Sequence, residues 1–179
     1  LGTWIFIIPF IGINLCLLIS VNYSFLENTI FSVDQIGRSG FTIPYFDGSL
    51  SISRASRTFP QYLVFKPAMF LTSILLVIYW YKNNKLINSF KKNTYKNYNF
   101  KIFGILSAIF LLIHCLLLGV EFDVSILKLM RRVILLSFII FEIIAQGLLV
   151  YQFFKLKNEL EGYYNKNILK LKIVLVSIL

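Results

Sequence analysis

Residues 133–154 read VILLSFIIFEIIAQGLLVYQFF, and Glu142 is the only acidic or basic side chain among them. At about 1.5 Å rise per residue, a helix of this length covers roughly 33 Å, enough to cross a hydrocarbon layer of about 30 Å. So long an apolar stretch reads as a membrane-spanning helix, not as a core helix of a soluble domain. Three further runs have the same character: 3–22, 61–81 and 102–120. A fifth apolar run starts near residue 168. The expected fold is an all-α, polytopic transmembrane helix bundle. It forms a single membrane domain over 1–179, with five helices in this sequence. Both ends fall in apolar runs and look cut, so a sixth helix is expected in the whole protein. The first run is too long for a secretory signal peptide and has no small-residue cleavage pattern.

Composition agrees with the spans. Hydrophobic residues make up 58% of the chain and mean hydropathy is +0.75, above the 45–50% apolar content of ordinary soluble domains. Aromatic residues stand where interfacial belts belong: Trp4 and Tyr23 around the first run, Tyr79, Trp80 and Tyr81 closing the second, Tyr151, Phe153 and Phe154 closing the fourth.

Loop charge sets the expected orientation. The 82–101 loop carries six lysines and no acid, and 155–172 adds five more. The opposite side holds Arg38, Arg54, Arg57, Lys128, Arg131 and Arg132. The lysine-rich side is expected to be cytoplasmic, with the N-terminus and 82–101 inside and the long loop 23–60 extracellular, periplasmic or lumenal. The net charge of +10 then belongs to short loops beside membrane spans, where it fixes topology and meets anionic headgroups. It does not point to nucleic acid, because the basic loop has no recognisable reading fold.

Motifs of soluble enzymes are missing. The sequence has no Gly-rich phosphate loop, nucleophile elbow or paired-cysteine metal site, so no cofactor is expected. Cys16 and Cys115 lie in apolar spans and read as small packing residues. A single histidine cannot build a multi-histidine zinc site, so no metal is expected.

Polar residues within the spans carry more information, because lipid makes them costly. Glu142 lies mid-span, with Gln146 one turn on along the same face. His114 lies in the third run and Asn14 in the first. Counted by helical rise, Glu142, His114 and Asn14 lie roughly 14, 9 and 12 Å below the same surface, so a polar cluster between helices is expected. Two readings stay open: hydrogen bonds that hold the bundle together, or a site with Glu142 as proton carrier or ligand contact and His114 as its partner.

Lys66 also has two readings. Either Pro60 opens the second helix and Pro67 kinks it, or Pro67 opens it and Lys66 snorkels at the interface. The interfacial lysine is the preferred reading. Small residues recur every fourth position at Gly12, Cys16 and Ser20, and again at Gly104 and Ala108. Such stripes admit close helix approach, whether within the chain, in a homo-oligomer or with another protein.

The 23–60 loop contains GRSGFTIPYFDGSLSISRASRTFP. Gly40, Pro44 and Gly48 are turn residues, and Asp47-Gly48 favours a tight turn. The alternation Leu50-Ser51-Ile52-Ser53-Arg54 suggests a short strand. Arg54 and Arg57, with Ser51 and Ser53, suit a lipid phosphate or other anion; ordinary solvated charges are the alternative.

Ile43-Pro44-Tyr45-Phe46-Asp47-Gly48, followed by Phe59-Pro60, Phe65 and the run ending Tyr79-Trp80-Tyr81, resembles the Frag1/DRAM/Sfk1 family. That family includes GPI-anchor remodelling proteins. Its members have about six membrane helices and a Pro-Tyr-Ile-Ser-Asp type motif in the first non-cytoplasmic loop. Pro44, Tyr45, Asp47, Gly48 and Pro60 carry the likeness here. The chain is one residue short between Tyr45 and Asp47 and has a longer Ser/Arg stretch before Phe59-Pro60. The resemblance implies lipid handling or a membrane regulatory role. Three function classes follow: a non-catalytic protein that binds or organises membrane lipids, a membrane-embedded lipid-remodelling enzyme, and a transporter or channel subunit using Glu142.

Overall fold

The computed structural model describes residues 1–22, 26, 28–31, 52–90, 99–118, 125–156 and 165–178. Its elements are all helical: α1 (Gly2–Val21), α2 (Ile52–Ala55), α3 (Tyr62–Phe90), α4 (Phe100–Leu117), α5 (Ser125–Lys155) and α6 (Lys166–Ile178). α1, α3, α4 and residues Leu129–Lys155 of α5 are each long and apolar enough to cross a membrane. This is a multi-pass membrane protein. Its helices expose large apolar side chains that a soluble fold would hide, among them Trp4 at 59%, Phe6 at 68% and Leu136 at 55%. On α5 the exposed residues Val133, Leu136, Ile140 and Ile144 recur at helical spacing, which gives the helix a lipid-facing stripe.

Two helices are longer than hydropathy alone suggests. α3 runs past Tyr81 through Lys82 and Lys85 to Phe90, so the first half of the 82–101 segment is helical. α5 begins at Ser125, well before residue 133, and takes in the basic residues Lys128, Arg131 and Arg132. The α5 extension is rich in Leu, Lys, Met and Arg, which enter helices readily; the α3 extension, with three Asn, continues a helix already nucleated by its apolar run. The strand suggested by 50–54 is not formed. Ile52–Ala55 is a helical turn, extended by the Ser56 amide donating to the Ile52 carbonyl at 3.0 Å. A helical turn closes its hydrogen bonds locally, which an unpaired strand cannot.

The chain divides into two compact units, Leu1–Leu75 with Leu112–Arg131, and Leu76–Leu111 with Arg132–Leu179. In the first, α2 packs on α1, where Leu17 and Ala55 are buried with Ile13 against them. α1 meets the start of α3 closely enough that a Cβ built on Gly12 would stand 2.8 Å from the Ala68 methyl. In the second, Gly104 lies flat against the Trp80 ring, and Trp80 and Ala108 are fully buried. Val176 of α6 reaches Gly147 of α5. The small-residue stripes are thus buried within the chain itself.

Candidate functional site

α4 and α5 meet along a short aromatic and polar seam. Phe103, Ser107 and Phe110 share one face of α4, at spacings of four and three. Phe141 of α5 stacks against both rings, with centroids 6.0 Å from Phe103 and 5.4 Å from Phe110. Stacking on both sides fixes the helix pair and leaves the next α5 residue, Glu142, facing Ser107. The Ser107 hydroxyl stands 2.6 Å from Glu142 Oε2 and 2.8 Å from the Gly104 carbonyl. One turn further on, Gln146 Nε2 donates to Glu142 Oε1 at 2.8 Å. Gln146 Oε1 is buried without a partner. Ser107 is fully buried and Glu142 half-buried.

Glu142 and Gln146 are therefore joined to each other, and their α4 partner is Ser107. The other polar residues singled out in the spans belong to the first unit. Asn14 donates to the Phe10 carbonyl of its own helix at 2.7 Å. His114 is half-buried beside the backbone of Arg131, and its Nδ1 has no partner. Ser107 was not anticipated. A serine in a span ordinarily bonds a carbonyl of its own preceding turn, as Ser107 does with Gly104. What distinguishes it in sequence is its place between Phe103 and Phe110 on the aromatic face.

A second polar knot joins residues 58–61 to α1. Gln61, fully buried, accepts through its backbone carbonyl from Cys16 Sγ at 3.3 Å. Its side-chain amide is assigned with the nitrogen toward the Thr58 and Phe59 carbonyls, at 3.1 and 2.9 Å, which sets the oxygen 3.1 Å from the Ser20 hydroxyl; that hydroxyl shares its proton with the Cys16 carbonyl at 2.7 Å. The opposite assignment sets the amide oxygen against those carbonyls. Phe59-Pro60 is a cis peptide, and Phe59 stacks on Phe31 at 6.2 Å. Pro60 is buried just before α3. Pro67 lies inside that helix, so α3 opens at the Pro60 end, and the preferred expectation that Pro67 stands at its first position is corrected. Lys66, half-buried within α3, has its Nζ 5.4 Å from the Tyr62 ring centroid, within cation–π range.

At the other aromatic cluster of α3, Lys101 Nζ lies 4.7 Å from the Tyr81 ring centroid. Lys172 Nζ reaches the Tyr79 hydroxyl at 3.2 Å. Trp80 turns inward against Phe100, 6.2 Å between centroids. The aromatic belt and the lysines that flank it therefore pair directly.

Arg57 is half-buried. Ser51, the side chains of Ser53 and Arg54, and the motif residues Pro44, Tyr45, Asp47 and Gly48 lie outside the described residues. Among the described residues no group of three or more His, Cys, Asp or Glu is placed to hold a metal ion. No family model, curated protein or solved structure matches the chain.

Proposed function

We propose that this protein binds or organises membrane lipid without catalysis, in the manner of the Frag1/DRAM/Sfk1 family it resembles. The observation that carries the reading is the seating of lysines on tyrosines along α3. Lys66 stands over Tyr62, Lys101 over Tyr81, and Lys172 bonds Tyr79. From Tyr62 to Tyr81, α3 rises about 28 Å at ~1.5 Å per residue, close to the hydrocarbon thickness of ~30 Å. Ammonium groups held at those two levels meet lipid phosphates while their stems stay on the rings. The lysine-rich loops then face the cytoplasm and 23–60 the opposite compartment, where Arg54 and Arg57 would meet the other leaflet.

The deep polar groups support a structural role over acid–base work. Both oxygens of Glu142 are already engaged, by Ser107 and Gln146, and such ties between helices hold membrane bundles together. The test is reconstitution into nanodiscs, with the retained lipids identified by mass spectrometry. Anionic phospholipid enriched over the bulk composition and recovered chemically unchanged is expected. Retention at the bulk ratio, or conversion of the lipid, overturns the proposal; conversion favours the remodelling enzyme.

A further inference from the structure

Two buried hydrogen-bond donors in the second unit have no acceptor. They are Trp80 Nε1 and Gln152 Nε2, on side chains 0% and 3% exposed. Unmet buried donors are costly, and native folds seldom keep them. The helix register brings them to one level. Val176 of α6 reaches Gly147 of α5. Gln152 lies about 8 Å along α5 from Gly147, and Lys172 about 6 Å along α6 from Val176, both toward the connection between the two helices. Lys172 Nζ donates to the Tyr79 hydroxyl at 3.2 Å, and Trp80 is the next residue of α3. Lys101 Nζ lies 4.7 Å from the ring centroid of Tyr81, one residue further. All of these residues belong to the same compact unit. The groups gathered here are donors. Indole and ammonium groups cannot accept, and the Tyr79 hydroxyl, accepting from Lys172, keeps its own hydrogen to give. Glu142, the acid among the described residues of this unit, is engaged by Ser107 and Gln146, about 15 Å along α5 from Gln152. The chemistry that suits such a set is negative, rich in acceptors and without hydrogens of its own, as in a phosphate diester.

We propose that Trp80, Gln152 and Lys172 form a binding site for the phosphate of one anionic phospholipid, at the level of the Tyr79–Tyr81 belt. The proposal rests on the lipid-binding reading and names its site. Lys172, steadied on Tyr79, supplies charge, and Lys101 on Tyr81 adds a second positive group beside it. Lysines alone would hold an anionic headgroup weakly, with salt screening the attraction. The buried donors add selectivity. Trp80 is held by Gly104 on its face and by Phe100 at 6.2 Å, so its N–H cannot turn to solvent. It is met only by an oxygen that enters among the helices, and the same holds for the Gln152 amide.

The test uses the whole protein in nanodiscs of phosphatidylglycerol and phosphatidylcholine in equal parts. Retained lipid is counted by mass spectrometry, and the indole N–H resonances are followed by NMR. The chain has two tryptophans, so Trp4→Phe assigns the Trp80 signal. The native protein is expected to retain phosphatidylglycerol selectively. Gln152→Leu, which leaves the net charge unchanged, should lower that retention roughly tenfold or more, the worth of a hydrogen bond to a charged group. The Trp80 N–H resonance should move downfield as phosphatidylglycerol replaces phosphatidylcholine, and excess inorganic phosphate should not displace the lipid. If Gln152→Leu does not fold, the Trp80 resonance decides. Selective retention with an unmoved Trp80 resonance, or with full retention by Gln152→Leu, overturns this site and leaves the lipid-binding reading standing. Displacement by inorganic phosphate overturns lipid as the source of the phosphate. Retention at the bulk ratio by the native protein overturns both the site and the reading.

Discussion

Gly104→Ala places one methyl group where α4 meets the Trp80 ring of α3. Helix propensity favours the change by about 1 kcal/mol, since alanine is the best helix former and glycine among the poorest. Packing opposes it. The new Cβ would overlap the Trp80 ring, which is 0% exposed. That ring has Phe100 at 6.2 Å and Tyr79 edge-on at 5.1 Å, so it has little room to retreat. Overpacking a filled core costs roughly 1–3 kcal/mol, and a rigid neighbour puts the cost toward the upper end. The net expectation is a loss of about 1–2 kcal/mol, read as a lower thermal midpoint of the purified protein in detergent. In a Trp80→Leu background the same methyl has space, so the two effects should be strongly non-additive. A Gly104→Ala protein as stable as the native one, or more so, would refute the packing argument, because propensity alone would then be acting.

Glu142→Gln should keep the fold, since an amide retains hydrogen bonds to Ser107 and Gln146, whereas Glu142→Leu should cost about 1–2 kcal/mol through lost interhelical bonds; thermal midpoints of the pair measure this. Gln61→Leu leaves Ser20 and the Thr58 and Phe59 carbonyls without their side-chain partner, and a loss of roughly 1–3 kcal/mol is expected. Limited proteolysis should then cut sooner around the 23–60 segment; unchanged cleavage and stability would show that Gln61 does not pin it. Neutralising Arg54 and Arg57 together should weaken binding to anionic liposomes and leave neutral liposomes unaffected. Equal binding by both proteins would remove the headgroup role.

Hydropathy located the spans because crossing the bilayer imposes length and apolarity on each of them separately. It could not locate helix ends outside the bilayer, where nothing excludes charge; hence α3 continues through Lys82–Phe90 and α5 starts at Ser125. The Glu142–Gln146 pair was legible because four-residue spacing on one helix is a local fact. Its third member was not, because pairing Ser107 with Glu142 depends on how α4 meets α5. The depth argument that grouped Asn14, His114 and Glu142 fixes height in the bilayer and says nothing about which face of each helix points where. Lys66 was misplaced by the preferred reading, which opened the helix at Pro67; the helix starts at Tyr62 and holds Lys66 and Pro67 within it, because a proline near a helix start costs few backbone hydrogen bonds and sequence alone does not say which of Pro60 and Pro67 stands there.

Single-cysteine accessibility across α3 tests the account most directly. Cys16 and Cys115 are buried at 1% and 0% exposure, so they should contribute little background in intact cells or vesicles. A membrane-impermeant thiol reagent would be applied to Ser39→Cys in the 23–60 segment and to Thr94→Cys in the 82–101 segment. One crossing, α3, separates them. The account requires labelling of Ser39→Cys from outside the cytoplasm, and of Thr94→Cys only after the membrane is permeabilised. Labelling of both from the same side would contradict α3 as a membrane span, and the reverse pattern would contradict the lysine-based orientation.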